Sequence, residues 1–218
     1  MKKLLKTAFV LCFFLIAFSA GAVAPKAHAQ IASGAIGNTI LSWSLEDNGD
    51  LIIRTSNEME KNYIPDYPPN STADFRQYKD QIKRIVWKSG VSVTSIGERA
   101  FEDCVNLESM EIPADVASVG AYAFRGCTSL ASVTFSSEKY SDFAAATEIS
   151  IGNRAFENCP ALSTVSMQNT VTSVSSTAFT GSDNAKIYLY IILSKLSDEQ
   201  LQYYKDNYTS DYNAWELF

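Results

Sequence analysis

The residues best suited to chemistry are three cysteines in the middle of the sequence. Cys104, Cys127 and Cys159 each follow a phenylalanine by three residues, and they are separated by 23 and 32 positions. Thiols can form a disulfide, ligate a metal ion or act as a nucleophile. Which chemistry applies depends on the partner residues that the chain offers and on the elements that hold the cysteines.

The first residues have the pattern of a secretory signal peptide. Lys2 and Lys3 precede an apolar segment at 8–17, and Ala27-His28-Ala29 supplies an A-x-A cleavage site. A retained membrane anchor is the weaker interpretation, because the apolar segment is shorter than the roughly 20 residues that a membrane span needs. We therefore expect residues 1–29 to be removed on export.

Removal of this leader narrows the chemistry of the mature chain. His28 is the only histidine, so the mature chain could not use a Ser-His-Asp or Cys-His mechanism or a histidine-containing zinc site. The leader also holds four of the 18 basic residues and none of the 24 acidic ones, which leaves a net charge of −10. This charge disfavours nucleic acid and anionic membranes as partners. Catalysis by a carboxylate pair, as in glycoside hydrolysis, remains open.

An internal repeat surrounds the cysteines. Its pattern is Ile-Gly-x-x-Ala-Phe-x-x-Cys-x-x-Leu, and its three copies begin at Ile96, Val119 and Ile151. The third copy comes nine residues late, which indicates an insertion at 136–150. A decayed fourth copy contains Phe179 and has Ser182 in place of the cysteine. The period of 23 residues lies within the range of leucine-rich repeats.

Each repeat ends in an alternating apolar segment, such as Leu107-x-x-Met110-x-Ile112, which predicts a short strand with one buried face. Stacked repeats would join these strands into a parallel sheet. The predicted fold is therefore a strand-rich α/β leucine-rich-repeat solenoid with one short parallel strand per repeat. The glycines of the pattern, Gly97, Gly120 and Gly152, are expected at turns where a side chain would obstruct the coil.

Two ladders are expected inside these repeats, one of phenylalanines and one of cysteines. Their members are Phe101, Phe124, Phe156, Phe179, Cys104, Cys127 and Cys159. The odd number of cysteines, together with Ser182 in the fourth copy, favours free thiols that pack as small apolar groups. One disulfide remains an alternative, because strands about 4.8 Å apart bring neighbouring repeats within disulfide range. A catalytic thiol has the least support.

The segment before the repeats, 30–81, is predicted to form an N-terminal cap. Two alternating segments flank Asn48-Gly49, which is a strong β-hairpin signal. A Pro-rich loop follows, and Ser71 or Thr72 is expected to cap a short helix that carries Phe75. The strand at 82–87 resembles a repeat strand without the Phe/Cys half of the pattern.

The solenoid is predicted to span 82–190 and to be followed by a helical cap at 191–218. Ser197 and Gln200 form a capping box at the start of this helix. Its tyrosines and tryptophan are expected to cover the last repeat, since the apolar end of a solenoid must be shielded from solvent. Sugar binding by these aromatic side chains is the alternative.

The repeat resembles the BspA-like leucine-rich-repeat family of bacterial surface and secreted proteins. The similarity covers roughly residues 40–215 and includes Trp43-x-Leu45 and Gly49-x-Leu51-x-Ile53 before the repeats. The insertion and the decayed fourth copy depart from the family pattern. The resemblance implies an adhesion or interaction protein, and it offers no catalytic residues to carry over.

Two surfaces are candidate ligand sites. The first is the set of outward strand positions, predicted as Arg84, Val86, Glu108, Glu111, Ala131, Thr134, Ser163 and Ser166. Stacked strands would present them in rows, although a merely solvated face explains them as well. The second is the insertion, with Tyr140, Asp142 and Phe143. Aromatic side chains often anchor interfaces, although rings packed against the repeats are an equal alternative.

The sequence thus predicts an exported, non-enzymatic protein that mediates protein–protein interaction or adhesion, with no cofactor and no metal. The expected partner is an extracellular protein or a glycan, at the cell surface, in the medium or in a periplasm. We expect no membrane span after leader cleavage. Glycan binding is the alternative function, and a carboxylate-pair glycoside hydrolase is the third.

Overall fold

The structure, a computed structural model, describes residues 27–57, 60–136, 149–167 and 171–189. These ranges contain thirteen strands and one 3-10 helix, η1, which spans Asp74–Gln81. In chain order the strands are β1 Gln30–Ala35, β2 Leu41–Glu46, β3 Asp50–Thr55, β4 Asn62–Ile64, β5 Arg84–Trp87, β6 Val93–Ile96, β7 Ser109–Ile112, β8 Ser118–Val119, β9 Ser132–Phe135, β10 Ile149–Ile151, β11 Thr164–Met167, β12 Val171–Val174 and β13 Lys186–Leu189. The predicted cap at 191–218 lies outside the described residues.

The larger sheet, sheet A, has the order β1-β2-β3-β5-β7-β9-β11-β13 within the described residues. Strands β1 to β3 are antiparallel, and every later neighbour pairs in parallel. The predicted hairpin is present as β2–β3, and the Asn48 side chain accepts a hydrogen bond from Asp50 N at 3.0 Å in its turn. Because β3 pairs with β5, the hairpin is continuous with the repeat strands.

A second sheet, sheet B, has the order β4-β6-β8-β10-β12, and all of its pairs are parallel. The prediction of one strand per repeat is therefore wrong, because each repeat contributes a strand to both sheets. The sheet B strands are two to four residues long, and β6, β8 and β10 end directly before the Gly of the repeat pattern. Stacking of equivalent segments gives their backbone N–H and C=O groups partners, which buried backbone requires.

Helix η1 supplies the phenylalanine that the first strand of the repeat region was predicted to lack. Phe75 is fully buried, and its ring stacks on Phe101 with centroids 5.3 Å apart. The prediction is wrong for the phenylalanine, because the interval from Phe75 to Phe101 is 26 residues instead of 23, which conceals the repeat; Tyr78 stands where the cysteine would be. The predicted cap is wrong too: Ala73 precedes the helix without a side-chain cap, and Ser71 Oγ accepts a bond from Ala73 N.

The phenylalanines of the repeats form a continuous stacked column. Their ring centroids are 5.4 Å apart between Phe101 and Phe124 and 5.2 Å apart in the next two pairs, up to Phe179. Interplanar angles fall from 16° to 2° and 6° along these pairs. Repetition of one side chain at one position thus builds an apolar spine through the core.

The cysteines form a second ladder beside the phenylalanines. Cys104, Cys127 and Cys159 are free and buried. Cys127 Sγ donates a hydrogen bond to the carbonyl of Phe101, and Cys159 Sγ donates one to the carbonyl of Phe124, each at 3.2 Å. Ser182 Oγ makes the equivalent bond at 2.6 Å. Cys127, Cys159 and Ser182 therefore each join their own repeat to the preceding one.

The glycine of the repeat pattern is required by close approach between repeats. A Cβ at Gly120 would lie 2.6 Å from Glu98 N, and a Cβ at Gly97 would lie 2.3 Å from the backbone of Pro65. The left-handed backbone positions of the same turns are held by other residues, including Arg99 at φ 54° and Tyr122 at φ 58°. The glycines therefore let consecutive repeats pack backbone to backbone.

Candidate interaction surface

Alternation along the sheet A strands separates a core side from an exposed side. Met110 and Ile112 of β7 are buried, whereas Ser109 and Glu111 are exposed. Strands β9 and β11 continue both rows in register with β7. We call the exposed side the outer face, and its two rows are Ser109, Ser132, Thr164 and Lys186, and Glu111, Thr134, Ser166 and Tyr188.

The sequence prediction of this face was correct for some positions and wrong for others. Glu111, Thr134 and Ser166 lie on the strands as expected. Placing Glu108, Ala131 and Ser163 on the strands is wrong, because each precedes its strand. A strand alternates with a period of two, so a residue three positions before an outward residue cannot share its face. The missed row, Ser109, Ser132, Thr164 and Lys186, follows from applying the two-residue period.

Arg84 is exposed at the start of β5, but its charge is already paired. Its Nε and Nη2 donate to the two carboxylate oxygens of Asp50 at 2.7 and 3.0 Å. These bonds raise the pKa of Arg84, and Glu108 adds to the effect. Burial raises the pKa of the Asp50 carboxyl, but bonds from Arg84 and Asn48 outweigh it, so this pKa lies below its ordinary value. Asp50 was missed because 34 residues separate it from Arg84.

The two predicted glutamates lie on an open surface. Glu108 is exposed, and its backbone N donates to Lys83 O at 2.9 Å. Glu111 is exposed on β7, and its carbonyl accepts a bond from the Trp87 indole at 2.8 Å. A carboxylic acid used as a general acid is instead enclosed in an apolar environment. These side chains are better suited to hydrogen bonding or ion pairing with a partner.

The predicted site in the insertion cannot be placed. Tyr140, Asp142 and Phe143 lie outside the described residues. The described residues also leave limited aromatic surface for a sugar: Tyr63 is 49% exposed, whereas Trp87 and Tyr188 are partly buried.

A buried charge cluster lies between η1 and the repeats, and no sequence pattern predicted it. Glu102 is 3% exposed and lies 2.8 Å from Arg125, 3.7 Å from Arg99 and 3.8 Å from Arg76. Arg76 is 2% exposed and donates to the carbonyls of Arg99 and Ala100.

The ring of Tyr122 extends this cluster toward the surface. The guanidinium carbons of Arg99 and Arg125 lie 4.6 and 5.2 Å from the ring centroid. The cluster therefore joins η1 to two consecutive repeats, which gives it a structural role. Stacking brings its three groups together, with Arg76 23 residues before Arg99 and Glu102 23 residues before Arg125, so local sequence carries little signal for it.

The cysteines are poorly placed for chemistry. Burial raises the pKa of Cys104 to about 12 and that of Cys159 to about 11, and it also raises the pKa of Cys127. Since the thiolate is the nucleophile and the metal ligand, these side chains stay protonated and unreactive at neutral pH. Among the described residues, His, Cys, Asp and Glu side chains form no group of three or more that could hold a metal ion.

No helix in the described ranges is both long and apolar enough to cross a bilayer.

The repeat pattern and the stacked sheets define a leucine-rich-repeat protein. Residues 74–186 and 141–209 match the model of the BspA type Leucine rich repeat region, in six copies. The chain therefore belongs to the BspA-type leucine-rich-repeat family, as the sequence predicted. No curated protein matches the chain by sequence.

Solved structures that match this chain include two proteins named as leucine-rich-repeat proteins and a vaccine antigen. A leucine-rich repeat protein from Eubacterium ventriosum is 22% identical with a TM-score of 0.49, and the match covers 74% of this chain and 44% of that one. The T. pallidum leucine-rich repeat protein TpLRR is 19% identical with a TM-score of 0.43, covering 81% and 97%. The pneumococcal vaccine antigen PcpA is 16% identical with a TM-score of 0.40, covering 72% and 51%. This chain thus spans less than half of the first protein and about half of the third.

Proposed function

We propose that this chain is an exported, non-enzymatic leucine-rich-repeat protein that binds another protein through the outer face of sheet A. The observation that carries the proposal is the outer face itself. It presents two in-register rows of exposed or half-buried side chains, and on β7, β9 and β11 the other side of the strand is buried. A surface held this firmly loses little conformational entropy on binding.

Export rests on the leader pattern, and the start of β1 supports it. The strand begins at Gln30, directly after the A-x-A site at 27–29. Cleavage there would leave every described strand intact. We place the mature protein at the cell surface or outside the cell.

The repeats are proposed to form a solenoid whose ends are closed by flanking segments. The parallel pairing in both sheets supports stacked coils. The hairpin β2–β3 covers the N-terminal side of β5, and residues 191–218 are proposed to cover the other end as a helix.

A protein is favoured over a glycan as the partner. The middle of the outer face consists of small hydroxyl side chains. Acidic side chains lie toward β5, and β13 contributes Lys186 and Tyr188 at the other end. Serine, threonine and charged side chains can hydrogen-bond to a polypeptide, whereas sugar platforms rely on exposed aromatic rings, of which the described residues offer Tyr63. A glycosidase has less support, because Glu108 and Glu111 are both exposed.

The test is a binding screen with outer-face variants. The full chain is expressed with its leader, purified from secreting cells and screened against extracellular matrix proteins and a glycan array. For any protein ligand found, the double variant Thr134→Arg, Ser166→Arg should weaken binding at least about tenfold, because two bulky charges would block the middle of the face.

The matched control is Ser173→Arg, at an exposed position on β12 of sheet B. It adds the same side chain elsewhere and should leave affinity unchanged. Normal binding by the double variant would move the site away from the outer face. The variant Tyr140→Ala, Phe143→Ala would then test the insertion. Binding to glycans alone would replace the proposal with the alternative function.

A further inference from the structure

The two sheets end differently at their N-terminal edges. Sheet B ends at β4, which is only three residues long and lies between Lys61 and Pro65. A charge, a proline and a short strand are the usual means by which proteins prevent edge-to-edge pairing. Sheet A ends at β1 within the described residues, and β1 contains neither a charged residue nor a proline.

The edge strand β1 is accessible along its length. Five of its six residues are exposed, and the sixth, Ala32, is half-buried. Ile31 is 48% exposed and is, with Tyr63, one of two exposed large hydrophobic side chains among the described residues. Nothing in the burial of β1 would prevent another strand from approaching it.

The backbone groups that β1 offers can be assigned from its pairing with β2. Ala35 pairs with Ser42 and Ser33 with Ser44, and Ile36 N donates to Leu41 O. Because hydrogen-bonded and non-hydrogen-bonded pairs alternate in an antiparallel ladder, the N–H and C=O groups of Ser33 and Ala35 point away from their backbone partners on β2. The carbonyl of Ala35 accepts a bond from the Trp43 indole at 3.2 Å, which leaves one of its two lone pairs for a further strand. The N–H groups of both residues and the carbonyl of Ser33 are also available to that strand.

A β-bulge limits the length of the available edge. The register of β1 shifts between Gln30 and Ala32, and a bulge bends the strand and interrupts its ladder. The regular part is therefore Ala32–Ala35. A pairing of this length buries less surface than a stable dimer needs, so any association is weak.

We propose that two copies of this chain associate through β1, in antiparallel register about a two-fold axis within Ser33–Ala35. A two-fold pairing is self-complementary, because Ser33 and Ala35 supply the same outward groups in both copies. Because β1 has no charged side chain, the shared ladder would place no like charges opposite each other.

The acidic residues around β1 favour the antiparallel arrangement. Glu46 is the partner of Gln30, and Asp47 follows it, so the acids lie at the Gln30 end of the strand. Antiparallel pairing sets that end beside the Ala35 end of the other copy. The two acidic corners are thus kept at opposite ends of the shared ladder.

The pairing would join both copies of sheet A into one sheet. The side chains of Ser33 and Ala35 lie on the outer-face side, because Gly34 faces the indole of Trp43 in the core. Two outer faces would then be held at a fixed separation. A ligand with repeated binding sites would engage both, which raises apparent affinity without new contacts.

The test is sedimentation velocity of the full chain after secretion and leader cleavage. We expect a reversible monomer–dimer equilibrium with a Kd of about 100 µM. Ser33→Glu puts like charges opposite or diagonal to each other across the axis and should raise that Kd at least about tenfold. Ser42→Glu is the matched control, because it adds the same charge to an exposed position one strand inward, and it should dimerise as the unmodified chain does.

A mixture of Ser33→Glu and Ser33→Lys should restore the dimer, because the charges then attract. A chain that stays monomeric up to about ten times the expected Kd, or a Ser33→Glu variant that dimerises normally, overturns the proposal. The second result would indicate strand exchange or another surface. Protection of the Ser33 and Ala35 amides from exchange only when a protein ligand is added would assign the edge to that partner and overturn self-association.

Discussion

The interior and the outer face differ in how similar their residues are at equivalent positions of successive repeats. Inside, phenylalanine recurs at one position, and cysteine or serine at another, through all four copies. On the outer face, the row that begins with Glu111 changes to Thr134, Ser166 and Tyr188. An interior side chain packs against its counterparts in the repeats before and after it, so a substitution in one repeat disturbs two contacts. The outer face has no such constraint and can be adapted to a partner.

The largest effect is expected from opening the aromatic column. Phe124 is fully buried between Phe101 and Phe156, so Phe124→Ala should lower the free energy of unfolding by about 4 kcal/mol. Thr134→Ala on the outer face should change it by less than about 0.5 kcal/mol. Urea denaturation followed by tryptophan fluorescence measures both. Equal costs for the two variants would contradict the distinction between interior and face.

Removing the buried carboxylate should have the second largest effect. Glu102→Ala leaves the guanidinium of Arg76 buried without its ionic partner, which should cost about 3 kcal/mol. Glu111→Ala removes the same kind of side chain from the outer face and should be nearly neutral in the same denaturation experiment. A neutral Glu102→Ala would show that the carbonyls bound to Arg76 suffice to hold it.

The cysteine ladder should tolerate serine better than alanine. Cys127→Ala removes the hydrogen bond to Phe101 O and leaves a small cavity, at a cost of about 2 kcal/mol. Cys127→Ser retains a donor, as Ser182 does in the fourth copy, and should cost about half as much. Thermal melts compare the two. If alanine proves the milder change, the cysteines serve only to fill space.

Acid should weaken the Asp50–Arg84 pair on the outer side of sheet A. The pKa of Asp50 is lower in the folded chain than its ordinary value, so the folded state is favoured while this carboxyl is ionised. The contribution is present above about pH 4 and is lost as the pH falls through the folded pKa.

The Asp50–Arg84 pair should contribute at most about 1 kcal/mol to the free energy of unfolding, because Arg84 is largely exposed. Comparing Arg84→Ala with the unmodified chain in urea at pH 7 and pH 3 measures it. The difference between the two chains should shrink at pH 3, and a constant difference would contradict the assignment.

Much of the fold could be predicted from the sequence, because the core residues of each repeat recur at fixed intervals. The Phe/Cys/Leu pattern predicted the family and the parallel sheet A strands, and Asn48-Gly49 between two alternating segments predicted the hairpin. Sheet B was missed, because a strand as short as Ser118–Val119 has no periodicity of its own. It forms only because the equivalent segments of neighbouring repeats lie beside it.

The residues of the candidate surface could be predicted only in part, for a related reason. Glu111 follows from alternation within one strand, whereas the pairing of Arg84 with Asp50 depends on which strands become neighbours. The cluster around Glu102 likewise requires the stacking of three segments. Tyr140, Asp142 and Phe143 stay a prediction.

The spacing of the phenyl rings has a consequence for the shape that a partner must have. The rings are 5.2 to 5.4 Å apart, whereas neighbouring strands in a sheet are about 4.8 Å apart. If sheet A keeps the usual strand spacing, each repeat is slightly thicker at the aromatic column than at the sheet, and we expect the stack to bend with sheet A on the inside. A protein bound to the proposed outer face should then be convex, with a curvature that depends on the size of a side chain it never touches.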